Sequence, residues 1–465
     1  MLSKTTLWKS WLKLSTSSFF FLAINLFHIA LVSTSELFVS NTGLFRFNVV
    51  FFSTFNFSTF FIALGLVIIQ LVICYLLIRR AFNKKGIYRL TEKGIIPETD
   101  LESKMRFDPQ LIYRWVNELA EQQGVKSITK IFLMDTNIPN ALTLDVVPIP
   151  LIRRSWLVLD ANILDILEEK EIKAVISHEL GHIKHYDSSL NLFRYGLNYF
   201  TFIAYSLGIL EMLYYIIAEP PNLLNILLRS GFLVVFILLL FILTFISRSL
   251  MTVTRRESEL LADYYGAKKI GRNHMINALI LLGQRLEVVH AFATEFNWLG
   301  GRENRKNLHR EFLQGLKALP REELNEDFTR ERAVQIYLSN RLKNLREDLY
   351  IPFTDDQIKS LANKATKELL KLRKEQIENG LVNDRKKDSI VNLHTIDWRL
   401  VDKDKDLYLN DEEIDYLIKE LRNNPNKELF EDELSKMSFF LRDYPSLKER
   451  ILFIYNTIHF TPVLH

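Results

Sequence analysis

The chain has 465 residues, more than one compact domain usually holds, so we expect several structural units. Hydrophobic residues make up 48% and charged residues 25%, which predicts apolar stretches that alternate with polar ones. A net charge of only +4 gives no strong field for nucleic acid, and the single cysteine, Cys74, excludes an internal disulfide framework. Any metal ligands must therefore be His, Asp or Glu.

Four apolar stretches are long enough to be considered as membrane spans, which need about 20 residues. They are 17–34, 59–78, 195–217 and 231–246. Basic residues precede the first and third stretches and follow the second and fourth, among them Lys13, Arg79, Arg194 and Arg248. Because positively charged loops stay in the cytoplasm, both ends of each hairpin should lie there.

The segment between the two hairpins, 86–194, carries the local signals of a soluble domain. Asp108 and Pro109 predict the start of a helix and Gly124 its end. Short strands are predicted at 128–134 and 156–159, and Asp160 should cap the helix that follows.

The sequence His178-Glu179-Leu180-Gly181-His182 is an H-E-x-x-H motif. Four residues return to the same helix face about 6 Å along the axis, so the two imidazoles can converge on one zinc ion. Glu179 is rotated about 100° from His178 and lies beside the metal, where it can take a proton from zinc-bound water. The alternative is a surface helix with incidental histidines.

A catalytic zinc needs a third protein ligand. Glu259 and Asp263 lie on one face of a helix predicted at about 254–269. One carboxylate could bind the metal while the other orients a ligand histidine. The alternative is a solvated acidic face beside Arg255 and Arg256.

Several separate segments resemble the HtpX and CAAX-prenyl-protease group of membrane zinc metallopeptidases. They are Pro139-Asn140-Ala141, the run 174–187 around the H-E-x-x-H motif, Arg256-x-x-Glu259-x-x-Ala262-Asp263, and Tyr444-Pro445 with Glu449-Arg450-Ile451. Four spans with the motif between the two hairpins are more similar to the HtpX type. The segment 273–442 has no counterpart in this resemblance.

The resemblance implies zinc held by His178, His182 and Glu259, with Asp263 behind them. It also implies substrate contacts from Asn140 and Ala141, and a role near the substrate for Arg450. Tyr444 stands where the family has His, and a phenol can also donate to an oxyanion. Peptides commonly add to such enzymes along a sheet edge, which we assign to 142–159.

The expected fold is a mainly α polytopic membrane protein with four transmembrane helices and an α+β zincin-like catalytic domain. The expected units are a membrane hairpin (1–91), the first part of the protease domain (92–194), a second hairpin (195–250), the third-ligand helix (251–272), a helical cytoplasmic region of unknown role (273–442) and a C-terminal segment that returns to the active site (443–465).

Two further patterns allow alternatives. His185 lies near His178 around the helix and could reach the metal, or it is an exposed histidine. The run from 402 to 413 resembles a calcium loop, with Leu407 where glycine is preferred. Its candidate ligands are Asp402, Asp404, Asp406, Asn410 and Glu413. Otherwise this run is an acidic turn followed by a capped helix at 410–421.

The predicted function is a zinc endopeptidase of the bacterial inner (plasma) membrane, with its catalytic domain and both termini in the cytoplasm. Its partners would be protein or peptide substrates and the lipid bilayer, and not nucleic acid. The alternative is a catalytically idle relative that binds partners or responds to calcium. That alternative predicts the loss of a ligand or of the base, yet His178, Glu179, His182 and Glu259 are all retained.

Overall fold

The computed structural model shows a mostly helical chain with a small mixed sheet. It describes residues 2–33, 36–39, 45–48, 57–83, 86–97, 105–135, 138–147, 152–186, 206, 209–210, 213, 217, 223–300, 326–349, 353–378, 395–430 and 444–458. This arrangement agrees with an α+β catalytic domain attached to long apolar helices.

The N-terminal part contains two long helices with a short hairpin between them in sequence. Its elements are α1 (Leu2–Ser33), β1 (Glu36–Val39), β2 (Phe45–Asn48) and α2 (Phe57–Ala81). Large apolar side chains such as Ile69 and Leu77 are exposed along α2. On α1, Ser10, Leu14 and Ser17 are buried. These three positions share a helix face, because they are spaced by four and three residues.

The second sheet has five strands. Its strands are β3 (Ile87–Thr91), β4 (Gly94–Ile96), β5 (Ile128–Met134), β6 (Ala141–Val147) and β7 (Arg154–Asp160), in the order β4-β3-β5-β7-β6. Only β5 and β7 are parallel. The predicted edge, 142–159, is correct only in its first half. β7 is paired on both sides, and all its residues after Arg154 are buried, so β6 alone forms this edge.

Three helices follow or cover this sheet, and their starts agree with the sequence signals. They are α3 (Pro109–Gln123), α4 (Ala161–Ile166) and α5 (Glu169–His185). The carboxylate of Asp108 accepts from the Gln110 amide at 2.8 Å, and Asp160 caps α4 in the same way at 3.0 Å. The α3 helix ends at Gly124. The local chemistry of these caps therefore determined where the helices begin.

Two long helices follow in the chain, α6 (Leu223–Ile270) and α7 (Arg272–Gly300). The predicted span 231–246 and the predicted helix 254–269 are one continuous helix in the structure, α6. Among the described residues, α6 is the one helix that is long and apolar enough to cross a membrane. The predicted spans at 17–34 and 59–78 lie in α1 and α2, and their crossing of a membrane stays a prediction. The span at 195–217 lies largely outside the described residues.

The region beyond α7 contributes four described helices. They are α8 (Glu326–Leu349), α9 (Asp355–Glu378), α10 (Asp411–Asn423) and α11 (Leu447–Thr457). The turn before α10 is fastened to α7, because the side chain of Asn277 donates to the Leu409 carbonyl and accepts from its amide, at 2.9 and 2.7 Å. Apolar residues of α10 and α11 join the main core. The α10 and α11 helices therefore share one hydrophobic core with α5.

Candidate active site

The H-E-x-x-H motif lies in the second half of α5. This helix begins with a capping box between Glu168 and Glu171, and its apolar stripe is buried in the main core. It ends at Tyr186, whose left-handed backbone (φ 64°) stops the helix. The face that carries His178 and His182 is therefore part of a helix that is capped at its start and buried along one side.

The two motif histidines converge as their spacing predicts. The Nε2 atoms of His178 and His182 are 3.1 Å apart. Glu259, from α6, places one carboxylate oxygen 3.6 Å from Nε2 of His178 and the other 3.5 Å from Nε2 of His182. Three potential ligand groups from two helices thus surround one point.

Glu259 reaches this point because α5 and α6 pack unusually closely. A Cβ at Gly181 would lie 3.0 Å from the Cα of Ala262, so a larger residue at 181 would push the helices apart. Ala262 itself is fully buried. The small residues inside both sequence motifs are therefore needed to bring the two sets of ligands together.

Asp263 contacts the His178 ring on the side opposite Glu259, and Arg450 binds Asp263. An Asp263 oxygen lies 2.9 Å from Nδ1 of His178, while Arg450 donates two hydrogen bonds of 2.7 Å to the same carboxylate. Burial disfavours the charged form of Asp263. The Arg450 guanidinium and the contact with His178 outweigh this effect and hold the pKa of Asp263 at about 2. The arrangement fixes the His178 ring with Nε2 directed at Glu259.

Glu179 lies beside the two histidines and is buried. Removal from water raises the pKa of this carboxyl, and the neighbouring histidines oppose the rise only in part. A carboxylate with a raised pKa is a stronger proton acceptor, which is the property needed for a general base.

A cavity of about 1010 Å³ opens onto this cluster. One side is the edge strand β6, including Asn140 and Ala141, and Asn140 is exposed at the start of the strand. Tyr444 and Arg450 also line the cavity, and the guanidinium of Arg255 lies 5.9 Å from the centre of the Tyr444 ring. The residues predicted to hold zinc, to act in catalysis and to contact the substrate therefore all line one cleft.

Arg153 was not identified from the sequence, yet it joins the edge strand to the end of α5. It forms a buried ion pair with Asp145 of β6 at 2.6 Å and donates to the carbonyl of Ile183 near the end of α5. Its guanidinium also packs 4.2 Å from the centre of the Tyr186 ring. The edge strand and the catalytic helix are thereby held in a fixed relation, and no local sequence pattern signals this contact.

His185 does not join the histidine pair, and the alternative of an exposed side chain is also incorrect. Its ring is half-buried between Trp11 of α1, at 4.4 Å, and Tyr265 of α6, at 5.0 Å. Burial lowers the pKa of His185 to about 3, so the ring is neutral at ordinary pH. It packs where α1 meets α5 and α6.

The acidic run from 402 to 413 shows the capped helix that was its second interpretation. Asn410 caps α10 and forms a capping box with Glu413. Asp402 accepts from the amides of Lys405 and Leu407, and Leu407 adopts the left-handed backbone that glycine would favour there. Carboxylates of Asp402, Asp404 and Glu413 lie close together. Calcium binding at this turn stays a prediction.

One family profile and several curated proteins match part of this chain. A profile of peptidase family M48 matches residues 110–312. Protease HtpX of Legionella pneumophila is 32% identical over 81 residues, covering 17% of this chain and 27% of that protein. Protease HtpX homolog of Thermoplasma volcanium is 35% identical over 75 residues, covering 16% and 23%. Protease HtpX homolog 1 of Sulfurisphaera tokodaii is 36% identical over 91 residues, covering 19% and 27%.

The chain thus spans about a quarter of the length of these curated relatives. No solved structure matches it. The matched profile includes α5 and the part of α6 that carries Glu259, whereas the cleft walls at 428–430 and 444–450 lie beyond it. Residues 110–312 therefore match peptidase family M48, and part of the chain is similar to proteases named HtpX.

Proposed function

We propose that the chain is a membrane-embedded zinc endopeptidase that hydrolyses peptide bonds of membrane or membrane-proximal proteins. The observation that carries this proposal is the convergence of two imidazoles and two carboxylates, Glu179 and Glu259, at the floor of one cleft beside a sheet edge. An idle relative would be expected to lack one of these groups, and none is missing.

The donor set fits zinc. Ligand atoms about 2.0–2.1 Å from a tetrahedral zinc lie about 3.3 Å from one another. The two Nε2 atoms are 3.1 Å apart, and each lies 3.5–3.6 Å from a different oxygen of the Glu259 carboxylate. When bound, zinc supplies a Lewis acid that polarises the scissile carbonyl and acidifies water. Asp263 keeps the His178 ring in the tautomer whose Nε2 can bind.

Glu179 carries the proton transfers of this mechanism. Its carboxylate takes a proton from the attacking water and later delivers it to the leaving amine. The raised pKa of Glu179 suits both steps, since a stronger base accepts the proton and the buried acid releases it to a basic nitrogen. No covalent bond between enzyme and substrate is required.

The substrate backbone would lie along β6. An edge strand offers main-chain groups to an extended peptide, and β6 lines the cleft from Asn140 to Leu144. We place Asn140 and Ala141 at the start of this contact. Tyr444 would donate to the developing oxyanion, and Arg450 would act by holding Asp263 at the floor of the cleft.

The membrane assignment rests on exposed apolar helices and on loop charge. Large apolar side chains are exposed on α2 and on the first half of α6, such as Val234 and Phe241. Basic residues follow the apolar part of each helix, Arg79 and Arg80 in α2 and Arg248 in α6, and this charge pattern supports a cytoplasmic active site. A reporter fused after Arg89 should be active in the cytoplasm. Activity on the opposite side would contradict this topology.

Replacement of the base gives the test of the function. Glu179→Gln keeps the shape of the side chain but cannot accept a proton, so we expect retained zinc and a rate lowered by about 100-fold or more. Hydrolysis of casein and elemental analysis of the purified chain measure the two properties. Glu287→Gln is the matched control, because Glu287 is an exposed carboxylate in the same cleft. Equal rates in both variants would refute the proposed base.

A further inference from the structure

Part of the lining of the cleft is an apolar wall, and some of this wall comes from outside the segment that the family profile matches. The wall consists of Leu282 and Leu286 of α7, Leu429 and Phe430, and Leu447 of α11. The family profile ends at residue 312, so the last three residues belong to this chain's own C-terminal region.

Several hydrogen bonds hold the C-terminal part of this wall in place. Lys448 is buried and donates to the carbonyls of Asn424, Pro425 and Lys427 at 2.8, 2.9 and 2.6 Å. The Ile396 amide donates to the Glu428 carbonyl at 2.8 Å. These contacts hold the segment that leads to Phe430 against α11.

The Phe430 ring packs against the backbone of α7 at Gly283. A Cβ at Gly283 would lie 2.7 Å from the Phe430 ring and 2.5 Å from a methyl group of Leu447. The ring therefore packs where only a glycine leaves room. It is half-buried, and so part of its surface faces the cleft.

The wall also exposes apolar surface within the cleft. Leu286 is 45% exposed, and Leu282 is half-buried. Exposed apolar groups that converge in a concave site mark the place where a ligand's apolar groups are buried. The edge strand and this wall line the same cleft, so an extended peptide on β6 would place some of its side chains in the cavity that the wall borders.

We propose that Phe430, with Leu282 and Leu286, forms a subsite for a large apolar substrate side chain. This inference rests on the proposed peptidase function and names its substrate class, extended segments that carry large apolar residues beside the scissile bond.

The test uses fluorogenic peptides that are identical except for Phe or Ala on either side of the scissile bond. The purified full chain with zinc should cleave the better Phe peptide with a kcat/KM about tenfold or more above that of the Ala peptide. Phe430→Ala should reduce this ratio several-fold. Leu286→Glu should do the same without a folding defect, because this side chain is already exposed.

Tyr416→Ala is the matched control. Tyr416 is an aromatic residue on the exposed face of α10, it does not line the cleft, and its loss should leave the Phe preference unchanged. Peptide affinity is measured in parallel by fluorescence anisotropy with the Glu179→Gln variant. This second measurement reports the subsite without requiring hydrolysis.

The outcomes separate the subsite from the peptidase. A Phe preference in affinity that depends on Phe430, together with no hydrolysis by the parent chain, would support the subsite and contradict the proposed function. Hydrolysis without any Phe preference would leave the function standing and overturn the subsite. A preference that Phe430→Ala and Leu286→Glu both leave intact would overturn it as well.

Discussion

We expect the ion pair between Arg450 and Asp263 to contribute strongly to the stability of the folded chain. Asp263 is fully buried, and two hydrogen bonds of 2.7 Å join it to Arg450. A pKa lowered from 3.8 to about 2 corresponds to about 2 kcal/mol of net stabilisation after the cost of burial. Arg450→Met leaves that buried carboxylate without its cation, which typically costs about 3–5 kcal/mol.

Thermal unfolding of the chelator-treated chain in detergent measures this effect without a contribution from metal binding. Asp263→Asn combined with Arg450→Met should be less damaging than the sum of the single changes, with a coupling of about 1–3 kcal/mol. Arg399→Met is the control, since the Arg399–Asp397 pair is solvent-exposed and should contribute less than about 1 kcal/mol.

The pH dependence of this contact follows from the lowered pKa of Asp263. The stabilisation is fully present above the unfolded value of about 3.8 and is lost as the pH falls toward the folded value of about 2. The difference between parent and Arg450→Met should therefore shrink over the same interval. An Arg450→Met variant within about 0.5 kcal/mol of the parent at pH 7, or strictly additive single changes, would refute the reasoning.

Three further predictions concern the metal, the base and the acidic turn. Glu259→Ala should lose zinc and activity while His185→Ala keeps both, and elemental analysis that shows the reverse would overturn the ligand assignment. Because burial raises the pKa of Glu179, the acid limb of the kcat/KM profile should lie above the ordinary value of 4.5, and a limb at or below 4.5 would contradict its role as base. If the acidic turn binds calcium, millimolar calcium should raise the thermal midpoint of the full chain and Asp404→Asn should abolish the rise. Calorimetry that detects no heat of binding would leave only the capped helix.

Local patterns predicted the elements that local forces determine. The strand at 128–134, the caps at Asp108 and Asp160 and the helix after Asn410 all agree with the structure. The same reasoning was incomplete for the sheet edge, because the sequence of 154–160 does not reveal that β5 pairs with the other side of this strand. It was also incomplete for His185, since the rings that bury it come from α1 and α6.

The sequence by itself determined the convergence of His178 and His182, because a helix of 3.6 residues per turn brings positions four apart to one face. It also indicated Glu259 as a partner, through a motif whose spacing is local. Only the tertiary structure decided that Arg450 holds Asp263 and that Phe430 packs against Gly283 and lines the cleft. These contacts join residues more than 140 positions apart in the chain. They depend on close packing between helices, which leaves no periodic trace in the sequence of either partner.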